Sequence, residues 1–266
     1  SNTPTATENV WGAGLKDAKR QSPSTALADV AQSVTGVILG IFLFCHMAFT
    51  SSVQISKDLF ANLINTSGGM FMFAEEQAWL HVAFVGFITL CVVIHAFCAL
   101  RRFPTSYHQL RDIKAHYKML RHEDTTLWMV QLVTAFLLFI FVFPHLISML
   151  CNPHGFDVNL IGVHTHHMGM IYTFVFLVIT ELHGMIGLYR LAVKWDIFAK
   201  NPETDIIDQR NGDRAGLRKT FLFIALLMIV CGTLTAWKNY SIGAELIENG
   251  QEATRYVLAD ENNWWK

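Results

Sequence analysis

Five apolar runs, each about long enough to cross a bilayer, constrain this chain more than any other feature. They cover roughly residues 32–53, 78–100, 126–150, 168–193 and 219–237. A helix needs about 20 apolar residues to span the hydrocarbon, and lipid offers no partners to an unpaired backbone. The sequence therefore predicts an all-α polytopic membrane protein, a five-helix transmembrane bundle.

The composition agrees with a membrane protein. Of the 266 residues, 52% are hydrophobic and 15% are charged, against about 25% charged in an ordinary soluble domain. The net charge of −1 gives no attraction to nucleic acid, so membrane lipid is the expected surrounding and nucleic acid is not an expected partner. The chain contains no CxxC motif, which argues against a zinc ribbon and against a covalently attached haem.

Basic residues predict the orientation. Most of them lie in the N-terminal arm, between the second and third runs, and between the fourth and fifth runs. Since loops rich in Lys and Arg stay in the cytoplasm, we expect the N-terminus inside and the C-terminus outside. We divide the chain into a cytoplasmic arm (1–31), a transmembrane domain (32–240) and an outer tail (241–266).

Each of the first four runs contains a histidine well inside it: His46, His95, His145 and His183. The second run also has His81 near its outer start. At 1.5 Å per residue, His95 and His183 lie about 9 and 16 Å above the inner boundary, and His46 and His145 about 20 and 25 Å. We call these the inner pair and the outer pair. Two imidazoles on different helices can ligate one iron axially, so the sequence predicts two b-type haems, one above the other.

The four histidines could also serve two roles without haem. A single intramembrane histidine often serves only as a hydrogen-bonded packing residue. A haem-free transporter or channel could use several histidines as a proton path. Neither role requires histidines sorted into two layers, so haem ligation is the favoured interpretation.

Four stretches carry a family resemblance: HMAF, IHAFCALRRFP, HYKMLRHEDTTLWMVQ and ELHGMIGLYRLAVKW. They resemble the dihaem cytochrome b membrane subunit of menaquinol:fumarate reductases, a branch of the succinate:quinone oxidoreductases, from about Gln32 to Trp195. The resemblance implies a multi-pass subunit of the bacterial inner membrane that oxidises menaquinol. Electrons would pass through two haems to an iron–sulfur subunit and a flavoprotein subunit that reduces fumarate. A dimer of this heterotrimer is left open.

The resemblance also assigns roles to single residues. The ligands of the distal haem fall on His46 and His145, and those of the proximal haem on His95 and His183. The contacts to the proximal haem propionates fall on polar side chains near the inner boundary: Gln32, Ser33, Trp128 and Lys194. The plainer interpretations are an interfacial aromatic for Trp128 and a topology charge for Lys194.

Glu181 matches the family's proton-path acid. It lies two residues before His183, about 200° around a helix, so it points away from the haem that His183 would bind. Desolvation favours the neutral form of a carboxyl in this environment. We expect Glu181 to move a proton; a protonated side chain bonded to a backbone carbonyl is the alternative.

The chain departs from the family pattern near the outer side. The position of a quinol-site glutamate falls on Gly68, and Glu75 and Glu76 lie further on, either as proton acceptors or as acids at a helix N-terminus. An arginine before the fourth span is missing; the segment here is VHTHHMG, and His164 is a candidate for the distal propionates.

The direction of electron flow is left open by the sequence. The same architecture serves a succinate:quinone reductase anchor that works in reverse, because direction depends on the quinone and the redox poise. The cytochrome b of a formate dehydrogenase or hydrogenase also uses intramembrane histidines. The motifs above favour the fumarate reductase group.

Overall fold

The computed structural model describes residues 23–70, 72–73, 77–101, 106, 108–109, 111–112, 123–195 and 207–258. Regular structure within these ranges is entirely helical. The α-helices are α1 (Pro23–Ser51), α2 (Lys57–Ser67), α3 (Ala78–Leu100), α4 (Glu123–Cys151), α5 (Val158–Met168), α6 (Met170–Lys194) and α7 (Ile207–Glu248). A short 3-10 helix, Ser52–Gln54, continues from the end of α1.

The prediction of five spans is confirmed. Five helices of the described ranges are long and apolar enough to cross a membrane: α1, α3, α4, α6 and α7. The first and last predicted runs are shorter than the helices that contain them, since α1 begins at Pro23 and α7 continues to Glu248. Both helices therefore continue beyond the apolar runs in the sequence. The three-part division at residues 31 and 240 stays a prediction.

Four of the spans form a closed ring. Helix α1 packs against α3 and α6, and α4 also packs against α3 and α6. The diagonals of the ring are therefore α1 with α4, and α3 with α6. Side chains that project inward from diagonal helices share the bundle interior, where cofactor sites of four-helix bundles are built. Helix α7 lies outside the ring, against α6, α1 and α5.

A small helical unit, the outer cap, covers the end of the ring that holds the outer pair. It comprises residues 52–67, 154–168 and 239–258. Its apolar centre contains six buried side chains: Val53, Phe60, Ala61, Ile64, Val158 and Ile242. The Tyr256 hydroxyl donates to Asp58 Oδ1 at 2.8 Å, which ties the C-terminal segment to α2.

Local capping explains where the cap helices begin and end. Ser56 accepts a hydrogen bond from Leu59 N at 2.9 Å and starts α2. Asp157 accepts from two backbone N–H groups of the first turn of α5, at 2.9 and 3.2 Å, as an N-cap does. Gly169, with φ of 82°, separates α5 from α6, a conformation that glycine adopts without steric cost.

Candidate haem-binding site

The inner pair lies on a diagonal of the ring. His95 projects from α3 and His183 from α6, and their ring centres are 6.5 Å apart with ring planes at 88°. The two helices run antiparallel to α1 and α4, which carry the outer pair. The structure therefore brings together the two histidines that the depth argument paired.

Backbone carbonyls of neighbouring helices orient both inner rings. His95 Nδ1 lies 3.2 Å from the carbonyl oxygen of Gln32 on α1. His183 Nδ1 lies 3.2 Å from the carbonyl oxygen of Gln131 on α4. Because a carbonyl oxygen only accepts, Nδ1 must donate in each case. The lone pair then belongs to Nε2, the nitrogen left free to bind a metal.

The outer pair occupies the other diagonal. His46 on α1 and His145 on α4 have ring centres 6.5 Å apart, with ring planes at 69°. Aromatic side chains surround this pair: Phe42 stacks on His46 at 5.3 Å, and Phe176 meets His145 edge to face at 5.5 Å. This environment is apolar, unlike the polar oxygens behind the inner rings.

Both separations fit a shared metal ion. A ring nitrogen lies about 2.0–2.1 Å from its metal and about 1.2 Å from its own ring centre, so two axial imidazoles have centres about 6.4 Å apart. Two pairs at 6.5 Å, on crossed diagonals, meet this requirement. Two imidazoles on opposite sides of one iron are typical of b-type haem.

Polar groups gather beside the inner pair at the basic end of the bundle. Lys194 Nζ donates to Ser33 Oγ at 3.4 Å, which joins α6 to α1. Gln32 Oε1 is buried and accepts no hydrogen bond from the described residues. Trp128 is half-buried on α4, one turn before Gln131. The structure thus brings Ser33 and Lys194 together, with Gln32 adjacent in the chain.

Glu181 is fully buried, with 0% of its surface exposed. Neither of its carboxyl oxygens has a hydrogen-bond partner among the described residues. Two α6 residues on the same side as Glu181 contact α7. Leu177, one turn before Glu181, adjoins Gly232. Tyr189, about two turns after it, has its ring centre 6.4 Å from that of Phe221. Glu181 therefore faces α7 between these two contacts.

The opposite face of α6 carries the haem-side groups. His183 bonds to Gln131 O, and Arg190, two turns later, donates from Nη1 to Gln131 Oε1 at 2.6 Å. Since both partners lie on α4, this face turns into the ring. The expected separation of Glu181 from the ring interior is thus observed.

His164, the remaining predicted residue that the structure describes, lies at the outer side. His164 on α5 is close enough to His145 for their charges to interact. Part of its ring is exposed, yet the surrounding protein desolvates it and lowers the pKa of His164, and the nearby His167 lowers it further. The described residues contain no group of three metal-ligating side chains that would make the histidine segment a separate metal site. Glu75 and Glu76 lie outside the described residues.

Comparison with known proteins gives a consistent result. Residues 108–235 match the family model described as the succinate dehydrogenase/fumarate reductase transmembrane subunit. The chain is 34% identical to the fumarate reductase cytochrome b subunit of Helicobacter pylori strain 26695, with 97% of each chain covered. It is 32% identical to the subunit of the same name from Wolinella succinogenes, with 84% of each chain covered.

The chain belongs to the fumarate reductase cytochrome b subunit family.

Membership of this family confirms the resemblance drawn from the sequence motifs. A cytochrome b carries haem b, and the separation within each imidazole pair is compatible with a haem iron. The number of haems and the roles of single residues stay predictions.

The sequence interpretation missed the groups behind the inner rings. No site role was predicted for Gln131 or Arg190, and the carbonyl of Gln32 matters as well as its side chain. A signal was present: Gln32 precedes His46 by 14 residues, and Gln131 precedes His145 by the same number. This repeated spacing relates α1 to α4, the two helices that face each other across the ring.

Proposed function

We propose that this chain is the membrane subunit that oxidises menaquinol and delivers the electrons, through two b haems, to an iron–sulfur and a flavoprotein subunit that reduces fumarate. The observation that carries the proposal is the pair of equal imidazole separations, 6.5 Å each, on the two diagonals of one four-helix ring. Haem b, when bound there, supplies one-electron carriers at two depths.

The inner and outer histidine pairs lie far enough apart along the bundle for their haems to be two successive electron carriers. Thr35, which contacts the inner ring of His95, precedes His46 by 11 residues on α1. That is about 16 Å along the helix axis. The inner pair lies toward the basic end, which we assign to the cytoplasm and to the two soluble partners. With this assignment, the chain is a multi-pass subunit of the bacterial inner membrane, and its C-terminus lies outside.

The inner-boundary groups suit the carboxylates of a haem. The Lys194 ammonium, the Ser33 hydroxyl and the amide of Gln32 can each donate to a propionate, and charged donors make the stronger bonds. The buried, unpartnered Gln32 Oε1 supports an occupant at this place, since buried polar groups are normally satisfied. Trp128 would contribute its indole N–H. His164 would donate to the outer propionates.

Glu181 would move a proton along the α6–α7 contact. Electrons that travel inward oppose the membrane potential, at about 2.3 kcal/mol per charge per 100 mV. A proton that moves in the same direction offsets this cost. A fully buried carboxyl with no hydrogen-bond partner in the described structure supports a transfer site, because a structural role would normally satisfy it.

Glu181→Gln tests the proton role. We expect quinol-driven fumarate reduction to be lost in sealed vesicles while both haem spectra stay unchanged, because the haem-facing side of α6 is untouched. Glu245→Gln, an exposed glutamate on α7, is the matched control and should retain turnover. Normal quinol-linked turnover in Glu181→Gln would exclude the proton path.

The overall function has its own test. The purified three-subunit complex should reduce fumarate with a menaquinol analogue as donor, and haem reduction should precede succinate formation. A complex that reduces fumarate with an artificial dye at the flavoprotein but not with quinol would contradict the role proposed for this chain.

The reverse activity, succinate:quinone reduction, is the second candidate. The matched family model covers both succinate dehydrogenase and fumarate reductase subunits, while the full-length relatives carry the fumarate reductase name. Initial rates measured in both directions with the same quinone couple decide between the two directions. The quinol site, with Glu75 and Glu76 as candidates, and a dimer of the complex remain proposals of the sequence.

A further inference from the structure

Two threonines stand behind the inner rings, one for each histidine. Thr35 Oγ1 lies 3.3 Å from His95 Nδ1, and Thr134 Oγ1 lies 3.3 Å from His183 Nδ1. Each Nδ1 therefore meets two oxygens of the neighbouring helix, a backbone carbonyl at 3.2 Å and a threonine hydroxyl. The arrangement is the same on both sides of the pair.

Both threonine hydroxyls donate their proton to a backbone carbonyl of their own helix. Thr35 Oγ1 donates to Ala31 O at 2.7 Å, and Thr134 Oγ1 donates to Val130 O at 2.8 Å. With its proton used within the helix, each hydroxyl presents a lone pair to the ring. Carbonyl and hydroxyl then both accept from one Nδ1–H, which fixes the same tautomer in both histidines.

The sequence repeats this device. Residues 32–35 are QSVT and residues 131–134 are QLVT. In each copy the threonine precedes an outer-pair histidine by 11 residues, which is about 20° from the same helix face. On α1, one helix face thus carries both an outer-pair histidine and the threonine that contacts an inner-pair histidine. The same is true of α4.

We propose that Thr35 and Thr134 are positioning residues that act through His95 and His183 to lower the reduction potential of the inner haem. An acceptor on Nδ1–H makes an imidazole a more basic ligand, and a more basic ligand stabilises ferric over ferrous iron. The inference rests on the proposed function in one respect, the binding of a haem between these two histidines. The outer rings pack on Phe42 and Phe176, so the effect is confined to one haem.

A threonine in a helix commonly bonds to a carbonyl one turn back without any further role. Thr89 on α3 shows this plain case, with its hydroxyl donated to Val85 O at 2.7 Å. It is half-buried and lies six residues from His95. Thr89→Val therefore removes the same kind of intrahelical bond from the same helix as an inner ligand, and is the matched control.

The test is a potentiometric titration of both haems in the intact complex, followed in the α-band, with low-spin ferric EPR spectra. Thr35→Val and Thr134→Val keep the side-chain shape and remove the hydroxyl. We expect the same one of two haem components to shift to higher potential in both variants, and to shift further in the double variant. Thr35→Ser, which keeps the acceptor, and Thr89→Val should match the unaltered complex.

Three results would overturn the proposal: no shift in either valine variant, an equal shift in Thr89→Val, or shifts of different components by Thr35→Val and Thr134→Val. Thr35→Ala and Thr134→Ala carry the same expectation, and provide the measurement if a valine variant does not assemble. Quinol-linked fumarate reduction by the unaltered complex reports separately on the proposed function. An unshifted potential in an active, fully haem-loaded complex would refute the threonine role alone.

Discussion

The crossing of α5 and α7 is the tightest backbone approach that supports the outer cap, and Gly243→Ala tests its energetics. A Cβ on Gly243 would overlap the Gly162 carbonyl oxygen, and would lie 2.6 Å from the carbon of that carbonyl and 2.8 Å from His166 Cβ. Ordinary contact begins near 3.4 Å, so the two helices must separate by more than about 0.8 Å or distort. A backbone group cannot rotate away as a side-chain end can.

The magnitude follows from a comparison within α7. Overpacking a close contact costs about 1–3 kcal/mol, and alanine gains up to about 1 kcal/mol over glycine in a helix. At Gly216 an added Cβ meets nothing within 4 Å. Gly216→Ala therefore gains the higher helix propensity of alanine without a steric clash. The difference between the variants therefore isolates a clash of about 1–3 kcal/mol.

Thermal unfolding of the detergent-solubilised complex, followed by circular dichroism, measures this difference. At about 2–4 °C per kcal/mol for a chain of this size, Gly243→Ala should melt several degrees below Gly216→Ala. His166 and the adjacent histidine segment should move with the crossing. Equal midpoints, or a higher midpoint for Gly243→Ala, would refute the reasoning from backbone contact.

Two further predictions concern the outer cap. Burial, and then the hydrogen bond to Asp58, raises the pKa of Tyr256 to about 12. The folded pKa therefore exceeds the unfolded value of about 10. The contribution of Tyr256 to folding stability is fully present below about pH 10 and is lost as the pH rises toward about 12. Phenolate absorbance should show a late-titrating tyrosine that disappears in Tyr256→Phe, and its persistence would contradict the assignment. Asp157→Ala removes the α5 N-cap and the acceptor of Tyr256 N, so we expect a loss of about 1 kcal/mol and faster proteolysis at residues 250–258, with Asp157→Asn closer to the unaltered chain; equal cleavage rates would argue against it.

The spans and the pairing of the histidines could be predicted because each depends on local quantities. Hydropathy and run length determine which helices cross a membrane, and the constant rise of a helix converts residue number into depth. Four histidines at two depths then limit the possible partners. The observed diagonals of the ring agree with that reasoning.

The outer cap and the groups behind the inner rings could not be predicted in the same way. Helices α2 and α5 are short and of mixed composition, and their stability comes from a shared apolar centre, which periodicity does not reveal. The support of His95 by Gln32 and Thr35 joins residues about 60 positions apart. Such contacts depend on how α1 packs on α3, a tertiary fact.

The central claim is that four imidazoles form two pairs and that each pair holds one iron. Haem content and reduced-minus-oxidised spectra of single His→Ala variants test it most directly. We predict two haems b in the unaltered chain, loss of one and the same spectral component in His95→Ala and His183→Ala, and loss of the other component in His46→Ala and His145→Ala. A single haem per chain, or different components lost from His95→Ala and His183→Ala, would contradict the pairing.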